Sequence, residues 1–388
     1  MAGRRHRLTA RRKAVGLSQE RLAEIVRVDR STVVRWERAD TAPQPWHRPR
    51  LAAALKVSID ELAELIADVG EPPSGLDDRL DYVLRHPGRV DLVTVAYLRE
   101  QVQQFDEQYE AVPSTLLLAS VGQLHGQITF LRRHAGAGSV QRELAEATAE
   151  SATLMGQLVW DASQRRDHGA AGAYFDQAVT AAQQVQNAAT AGNALLRKSY
   201  LALYGTGNPA AGLALAHRAA VASESDSQVI AGLAQLHVAE AHAMLGKIRD
   251  CENALGLAEH YFGRIANDDP AAVLYCPSQQ GRLAGSCWLF LGRPEQAEPI
   301  LESTRQYLSQ QRKSAAIVLA NLALASIRQR QIDTAAARLH EAIDVIERTR
   351  SGGGLKVVFA AIQELRPWRR EPAVEDVNDR LVALMTTA

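Results

Sequence analysis

Between residues 7 and 66, apolar side chains recur three and four positions apart, in runs of only two or three turns each. Leu17, Leu22, Ile25, Val28, Val33 and Trp36 fall on helical spacing and predict one small core. Turn residues divide this stretch into five helices. The first, 7–15, is closed by Gly16, which reaches a left-handed conformation without a Cβ clash. Ser18 is placed to N-cap the second, which runs to 26, and after a tight turn at Arg27-Val28, Asp29 is placed to cap the third, 30–38. The proline-rich TAPQPWHRP leads into a fourth at 50–55. Ser58, with Glu61 three residues on, has the form of a capping box for a fifth at 59–66. Past GEPPSG at 70–75, which reads as a hinge, the pattern changes to long amphipathic helices. These are broken at Pro113, 135–139, 207–209, 268–270, 292–294 and 351–354.

The long helices repeat. Ala171, Ala211, Cys251, Ala297 and Ala335 are small residues spaced 40, 40, 46 and 38 apart. Four positions after each stand Phe175, Leu215, Leu255, Leu301 and Leu339; three further on are Ala178, Arg218, Ala258, Thr304 and Ala342. Twelve positions before each anchor lie Val159, Ser199, Ala239, Gly285 and Ala323, again mostly small. Small residues at fixed places on two successive helices let a pair pack closely, and the bulky one seals against the next pair.

Charge separates the same two regions. Residues 1–60 hold 14 Lys and Arg against 6 Asp and Glu, a surplus of eight positive charges that the remainder of the chain cancels. A basic head on an acidic body points to a polyanion for the head alone. Cys251, Cys276 and Cys287 lack CxxC spacing and read as small core residues of a reduced, cytoplasmic protein. MAGRRHRLTARRK has no apolar run behind its arginines, and no stretch approaches 18 apolar residues, so neither an export signal nor a membrane span is expected.

In the head, GLSQERLAEI, VDRSTVVRWER and LAAALKVSIDELAEL, within residues 7–66, together resemble the helix-turn-helix domain of the Cro and phage-repressor type. The resemblance implies that the third helix enters the DNA major groove while the second crosses the backbone. It puts Gln19 at phosphate or a base edge, and makes Arg30, Ser31, Thr32 and Arg35 the candidates for reading bases. An arginine fork suits that task, since it bonds guanine O6 and N7 together. Arg38, Arg48 and the arm Arg4-Arg5-Arg7 are candidates for phosphate, although the arm is equally readable as solvated chain. The resemblance also assigns Glu37 a structural pairing with Arg12, and Trp36 reads as core. The chain departs from the family by placing Arg27 in the interhelical turn and Ala39-Asp40 after the third helix, where glycine is usual.

In the body, the alanine–bulky–alanine series after a helix with small residues resembles the tetratricopeptide repeat, over roughly 140–350, with a period nearer 40 than the usual 34. The resemblance implies a superhelix whose first helices line a concave surface that binds peptides or proteins. Fourteen positions before the anchors stand Gln157, Arg197, His237, Leu283 and Asn321; eleven before stand Trp160, Tyr200, Glu240, Ser286 and Leu324. Amide and guanidinium groups suit a peptide backbone, and Trp160 and Tyr200 suit apolar pockets. The ligand-binding candidates are therefore Gln157, Trp160, Arg197, Tyr200, His237, Glu240 and Asn321, although a superhelix is wet on its inner face in any case.

The expected fold is all-α: a five-helix helix-turn-helix domain (1–69), the hinge (70–75), connecting or dimerisation helices (76–139) and an α-solenoid of tetratricopeptide-like pairs (140–388). No catalytic, metal or cofactor motif stands out. His237 and His242 are five apart and do not share a helix face, and SGGGLK at 351–356 lacks the preceding strand of a phosphate loop. The combination is similar to the peptide-responsive regulators of Gram-positive bacteria. The expectation is a non-enzymatic, cytoplasmic homodimer that binds double-stranded DNA and whose body senses a peptide or protein. The alternative is a DNA-tethered scaffold that docks a partner protein without sensing a small ligand.

Overall fold

A computed structural model describes residues 5–67, 76–308 and 312–386; the hinge at 70–75 and Arg4 lie outside the described residues. Among the described residues there are helices and turns but no strand. The chain divides into two compact units, Met1–His86 and Pro87–Ala388.

The first unit holds α1 (His6–Ala14), α2 (Gln19–Val26), α3 (Arg30–Glu37), α4 (Arg48–Leu55), α5 (Ile59–Ala67) and α6 (Leu76–Arg85). Its core gathers Leu8, Leu22, Ala23, Val26, Val33, Trp36, Leu51, Leu55 and Leu62, with Leu17 and Val28 packed at the margin. Ile25 is not part of it. The residue is 40% exposed, because the buried stripe of α2 runs through Leu22, Ala23 and Val26. Two of the expected caps form. Ser18 Oγ accepts from the Arg21 amide at 3.1 Å, and Ser58 and Glu61 exchange bonds of 3.1 and 2.7 Å. Asp29 occupies the N-cap position of α3 in extended backbone, but its side chain takes no capping bond. The helix α6, grouped by sequence with the connecting helices, belongs to this unit, and Arg7 bonds the Tyr82 hydroxyl on it.

Both departures from glycine have a backbone consequence. Arg27 has φ +60° and Ala39 φ +62°, the left-handed region that disfavours a Cβ. Ala39 closes α3: its amide donates to Trp36 O at 3.2 Å and the Asp40 amide to Arg35 O at 2.9 Å, the double bond of a glycine-type helix stop. Ala39→Gly is expected to stabilise the first unit by about 1 kcal/mol, read as a rise in its urea midpoint with unchanged slope. An unchanged or lower midpoint would show that the strain is absorbed elsewhere.

The second unit opens with α7 (Leu92–Gln108) and α8 (Ser114–His134), which pack on α9 (Ser139–Ala162). Helix pairs follow: α9 with α10 (His168–Gln184), α11 (Ala188–Tyr200) with α12 (Pro209–Ser223), and α13 (Gln228–Met244) with α14 (Ile248–Phe262). Next come α15 (Pro277–Phe290) with α16 (Pro294–Tyr307) and α17 (Lys313–Arg328) with α18 (Ile332–Thr349). The last two helices, α19 (Gly352–Glu364) and α20 (Pro372–Thr386), stack on α17 and α18 respectively. Within pairs the expected anchors are buried. Ala171, Phe175 and Ala178 are sealed, as are Ala297, Leu301 and Thr304, and Ala335, Leu339 and Ala342. Gly156 and Gly285 admit this packing, since a Cβ on either would run into Phe175 or Leu301. Cys251 and Cys287 lie together in one such apolar cluster.

The second pair corrects the repeat register. Ala211 is exposed, and the buried face of α12 is Gly212, Ala216 and Ala219. The cause is a π-turn over Leu201–Gly205 at the end of α11, where the Thr206 amide reaches back five residues to Leu201 O at 2.9 Å. One extra residue enters there, so the anchors shift by one. Arg218 breaks the alanine series because it is not in the series.

The first helices of the pairs, α9, α11, α13, α15, α17 and α19, touch in order, and α19 returns to contact α9. The row closes into a ring.

Candidate functional site

In the first unit a short apolar core holds α3 so that its other side is free. Val33, Trp36 and Glu37 are buried, while Arg30, Ser31, Arg35 and Arg38 are exposed and Thr32 is half-buried. Burial of Glu37 is made possible by Arg12, whose Nε donates to Oε1 at 2.7 Å and whose Nη1 donates to Leu17 O at 2.7 Å. The pairing locks α1, the turn before α2 and α3 to one another. Gln19 joins it, its amide donating to Glu37 Oε2 at 2.7 Å, so the residue that opens α2 is oriented by the same carboxylate. Arg30 forms an ion pair with Glu20 at 2.6 Å, but both side chains are more than half exposed, and a pair so placed is readily exchanged for another anion. Arg48 is half-buried and braces its loop through Pro43 O at 3.2 Å.

Within the arm, Arg5 is neither solvated chain nor a free phosphate ligand. Arg5 is 5% exposed and donates to Ile66 O (2.5 Å), Trp36 O (2.7 Å) and Thr41 O (2.7 Å). Its guanidinium ties the ends of α3 and α5 together. Sequence alone carries no signal for this, because all three acceptors are backbone carbonyls. Arg11, similarly, donates to the Leu55 and Lys56 carbonyls that end α4.

In the second unit the ring encloses a cavity of about 560 Å³. All seven residues expected on the inner strip line it: Gln157, Trp160, Arg197, Tyr200, His237, Glu240 and Asn321. Ser286 and Leu324 line it too, whereas Leu283 is packed into an apolar cluster. Residues that no strip position marked complete the wall, chiefly Tyr109, Arg165, Tyr204, Arg282, Lys313 and Lys356. They come from helix ends and loops, or from helices far apart in sequence.

A polar network crosses the wall between α11 and α15. Tyr204 bonds Glu240 Oε2 and lies 2.8 Å from His237 Nδ1, while Ser286 Oγ donates to Glu240 Oε1 at 2.5 Å. Burial opposes the charged form of Glu240, but the bonds from His237, Ser286 and Tyr204 outweigh it, and the carboxyl is held below its ordinary pKa. Burial pushes the imidazole of His237 down, so it stays neutral, and burial beside Glu240 pushes the Tyr204 phenol up.

The ring is pinned where its ends meet. Asp161 on α9 accepts from Lys313 Nζ at 2.9 Å, Ser114 Oγ at 2.7 Å and the Gly352 amide at 3.1 Å. Lys313 also donates to Ser114 Oγ at 2.7 Å and sits 4.1 Å from the Tyr109 ring centroid. Glu110 accepts from the Ser314 amide and hydroxyl at 3.1 and 2.9 Å. The glycine-rich start of α19, which loosely has the look of a phosphate loop in sequence, thus already holds an internal carboxylate.

The first unit is a helix-turn-helix domain, the class of fold that sets one helix into a DNA groove; residues 8–62 match the helix-turn-helix family. No protein of curated function matches the chain. Among solved structures it is similar to Bacillus thuringiensis PlcR, determined in complex with the peptide PapR7 and DNA. The identity is 15%, with 86% of this chain and 99% of that one covered and a TM-score of 0.35. It is also similar to yeast Tom70, at 13% identity over 96% of this chain and 83% of that one, with a TM-score of 0.32. No helix among the described residues is long and apolar enough to cross a membrane.

Proposed function

We propose that the chain is a sequence-specific DNA-binding regulator of transcription whose ring-shaped unit holds a small ligand, such as a short peptide, that modulates DNA binding. The observation that carries this reading is the joining of a helix-turn-helix domain to a cavity of about 560 Å³ with polar and aromatic walls. Such a volume lies in the range that buries a compact organic molecule or a few peptide residues. It is too small for a folded partner, which disfavours the scaffold reading for this surface. Two copies acting as a homodimer would set two α3 helices on half-sites about 34 Å apart. A ligand would act through the difference in its affinity for DNA-competent and DNA-incompetent states.

Genomic footprinting with the full chain supplies an operator, and fluorescence anisotropy on that operator then tests sensing. Saturable binding of a culture-supernatant peptide that shifts operator affinity supports the reading. A co-purifying protein, with no peptide effect on DNA, would transfer the case to the scaffold. Arg35→Ala is expected to remove roughly 1–3 kcal/mol of discrimination between the operator and a scrambled duplex. Equal weakening on both duplexes would place Arg35 on phosphate instead of a base.

A further inference from the structure

The charges that line the cavity do not balance. Of its four carboxylates, Asp161 is taken by Lys313 and Glu364 by Arg328 at 2.7 Å, while Glu240 is held by neutral hydroxyls and Glu110 by Ser314. Four further cations line the same space: Arg165, Arg197, Arg282 and Lys356. Burial opposes the charge of Arg197, but Tyr200, Asp106, Tyr109 and Glu110 outweigh it and hold its pKa above the ordinary value. Among the described residues no carboxylate pairs with Arg165 or Lys356, and Lys356 donates only to the neutral Tyr204 carbonyl. These two instead oppose each other, and burial together with the Arg165 charge lowers the Lys356 pKa.

Hydrogen-bond accounting gives a second, independent sign. Trp160 Nε1 and the Nε groups of Arg165, Arg197 and Arg282 are buried donors with no acceptor among the described residues, and all four residues line this cavity. Native proteins leave few such groups, because each costs about 1–3 kcal/mol. Backbone strain gives a third. Gln164 and Arg165 follow α9 with φ of +53° and +62°, two successive non-glycine residues in the left-handed region. That turn brings the Arg165 guanidinium over the Trp160 ring at 4.5 Å and against the backbone at Gly353, one helical turn before Lys356. Stacking occupies the face of the guanidinium and leaves its in-plane donors for a partner.

We propose that the ligand of this cavity presents an oxyanion, a carboxylate or a phosphate, between Arg165 and Lys356. The inference rests on the reading of the cavity as a ligand site. An oxyanion there accepts from Arg165, whose Nε has no acceptor among the described residues, and it offsets two cations that otherwise repel. Trp160 and Tyr200 then flank the apolar part of the same molecule.

The test uses the full chain, with melting temperature read at constant ionic strength. The probes are inorganic phosphate in place of chloride, tetra-alanine with a free carboxylate, and tetra-alanine amide. Wild type is expected to gain about 2–4 °C from at least one oxyanion probe over chloride or the amide. Arg165→Gln and Lys356→Gln are expected to lose that gain, each measured against its own melt in chloride, since each removes one of the two cations that would hold the oxyanion. A gain from tetra-alanine alone assigns a peptide terminus, and a gain from phosphate alone assigns a phosphate-bearing molecule. Equal responses in wild type and both variants, or no response to either oxyanion, overturn the proposal. So does an amide that stabilises as well as the acid. Operator affinity measured beside each melt separates the two readings. An oxyanion that stabilises without moving DNA affinity leaves the anion site standing and removes sensing, whereas an amide that moves DNA affinity does the reverse.

Discussion

Asp161→Ala is expected to destabilise the second unit by about 3–5 kcal/mol, lowering its melting temperature by about 10 °C. Asp161 and Lys313 are each 3% exposed, and removing the carboxylate leaves a buried ammonium with the Ser114 hydroxyl as its remaining hydrogen-bond partner. It also strips the Gly352 amide of its acceptor at the start of α19. Replacing both partners, Asp161→Leu with Lys313→Met, is expected to recover much of the loss, because an apolar pair needs no compensation. A calorimetric scan of the full chain measures both variants. A single substitution that costs less than 1 kcal/mol would mean that water reaches Lys313 and that the closure is looser than the geometry implies.

Arg12→Ala is expected to have an effect of similar size in the first unit, again about 3–5 kcal/mol, because Glu37, 4% exposed, would keep only the neutral Gln19 amide as a side-chain donor. The loss should be local to the elements that Arg12 joins. Native-state hydrogen exchange is expected to show α3 amides losing protection by roughly a hundredfold or more, with α13 and α17 unchanged. Unaltered exchange in α3 would make the ion pair ornamental. Since α3 carries the exposed Arg35 and Ser31, weaker operator binding should accompany the loss of protection.

Much of the first unit was legible because its determinants are local. Ser18, the Ser58–Glu61 box and the spacing of Leu22, Val33 and Trp36 act within one or two turns, so sequence order reports them directly. What escaped was non-local. Arg5 is buried by carbonyls 31, 36 and 61 residues away, and nothing in its neighbourhood of sequence distinguishes it from Arg4. Ile25 was misplaced for a subtler reason: in a helix of two turns, adjacent apolar residues fit the spacing almost equally well, and only packing into the shared core chooses Val26.

The cavity strip was legible for a reason that also explains the register error. Gln157, Arg197, His237 and Asn321 stand at the same strip position on α9, α11, α13 and α17, and that position is set before each helix ends. The extra residue of the second pair enters after Tyr200, so Arg197 and Tyr200 stayed in place while the anchor on α12 moved from Ala211 to Gly212. Closure of the ring had no such signature. The bonds from Ser114 to Asp161 and from Gly352 to Asp161 span 47 and 191 residues, and Arg165 owes its position to a left-handed turn that its residue types do not announce.

The widened turn at Leu201–Gly205 contains Tyr204, whose hydroxyl bonds Glu240 and whose carbonyl accepts from Lys356. A helix advances about 100° per residue. A homologous chain without that single insertion would rotate its equivalent aromatic away from the chamber and release both contacts at once. Specificity in rings of this kind can therefore diverge through one-residue indels at helix ends, while every wall residue named by periodicity keeps its identity.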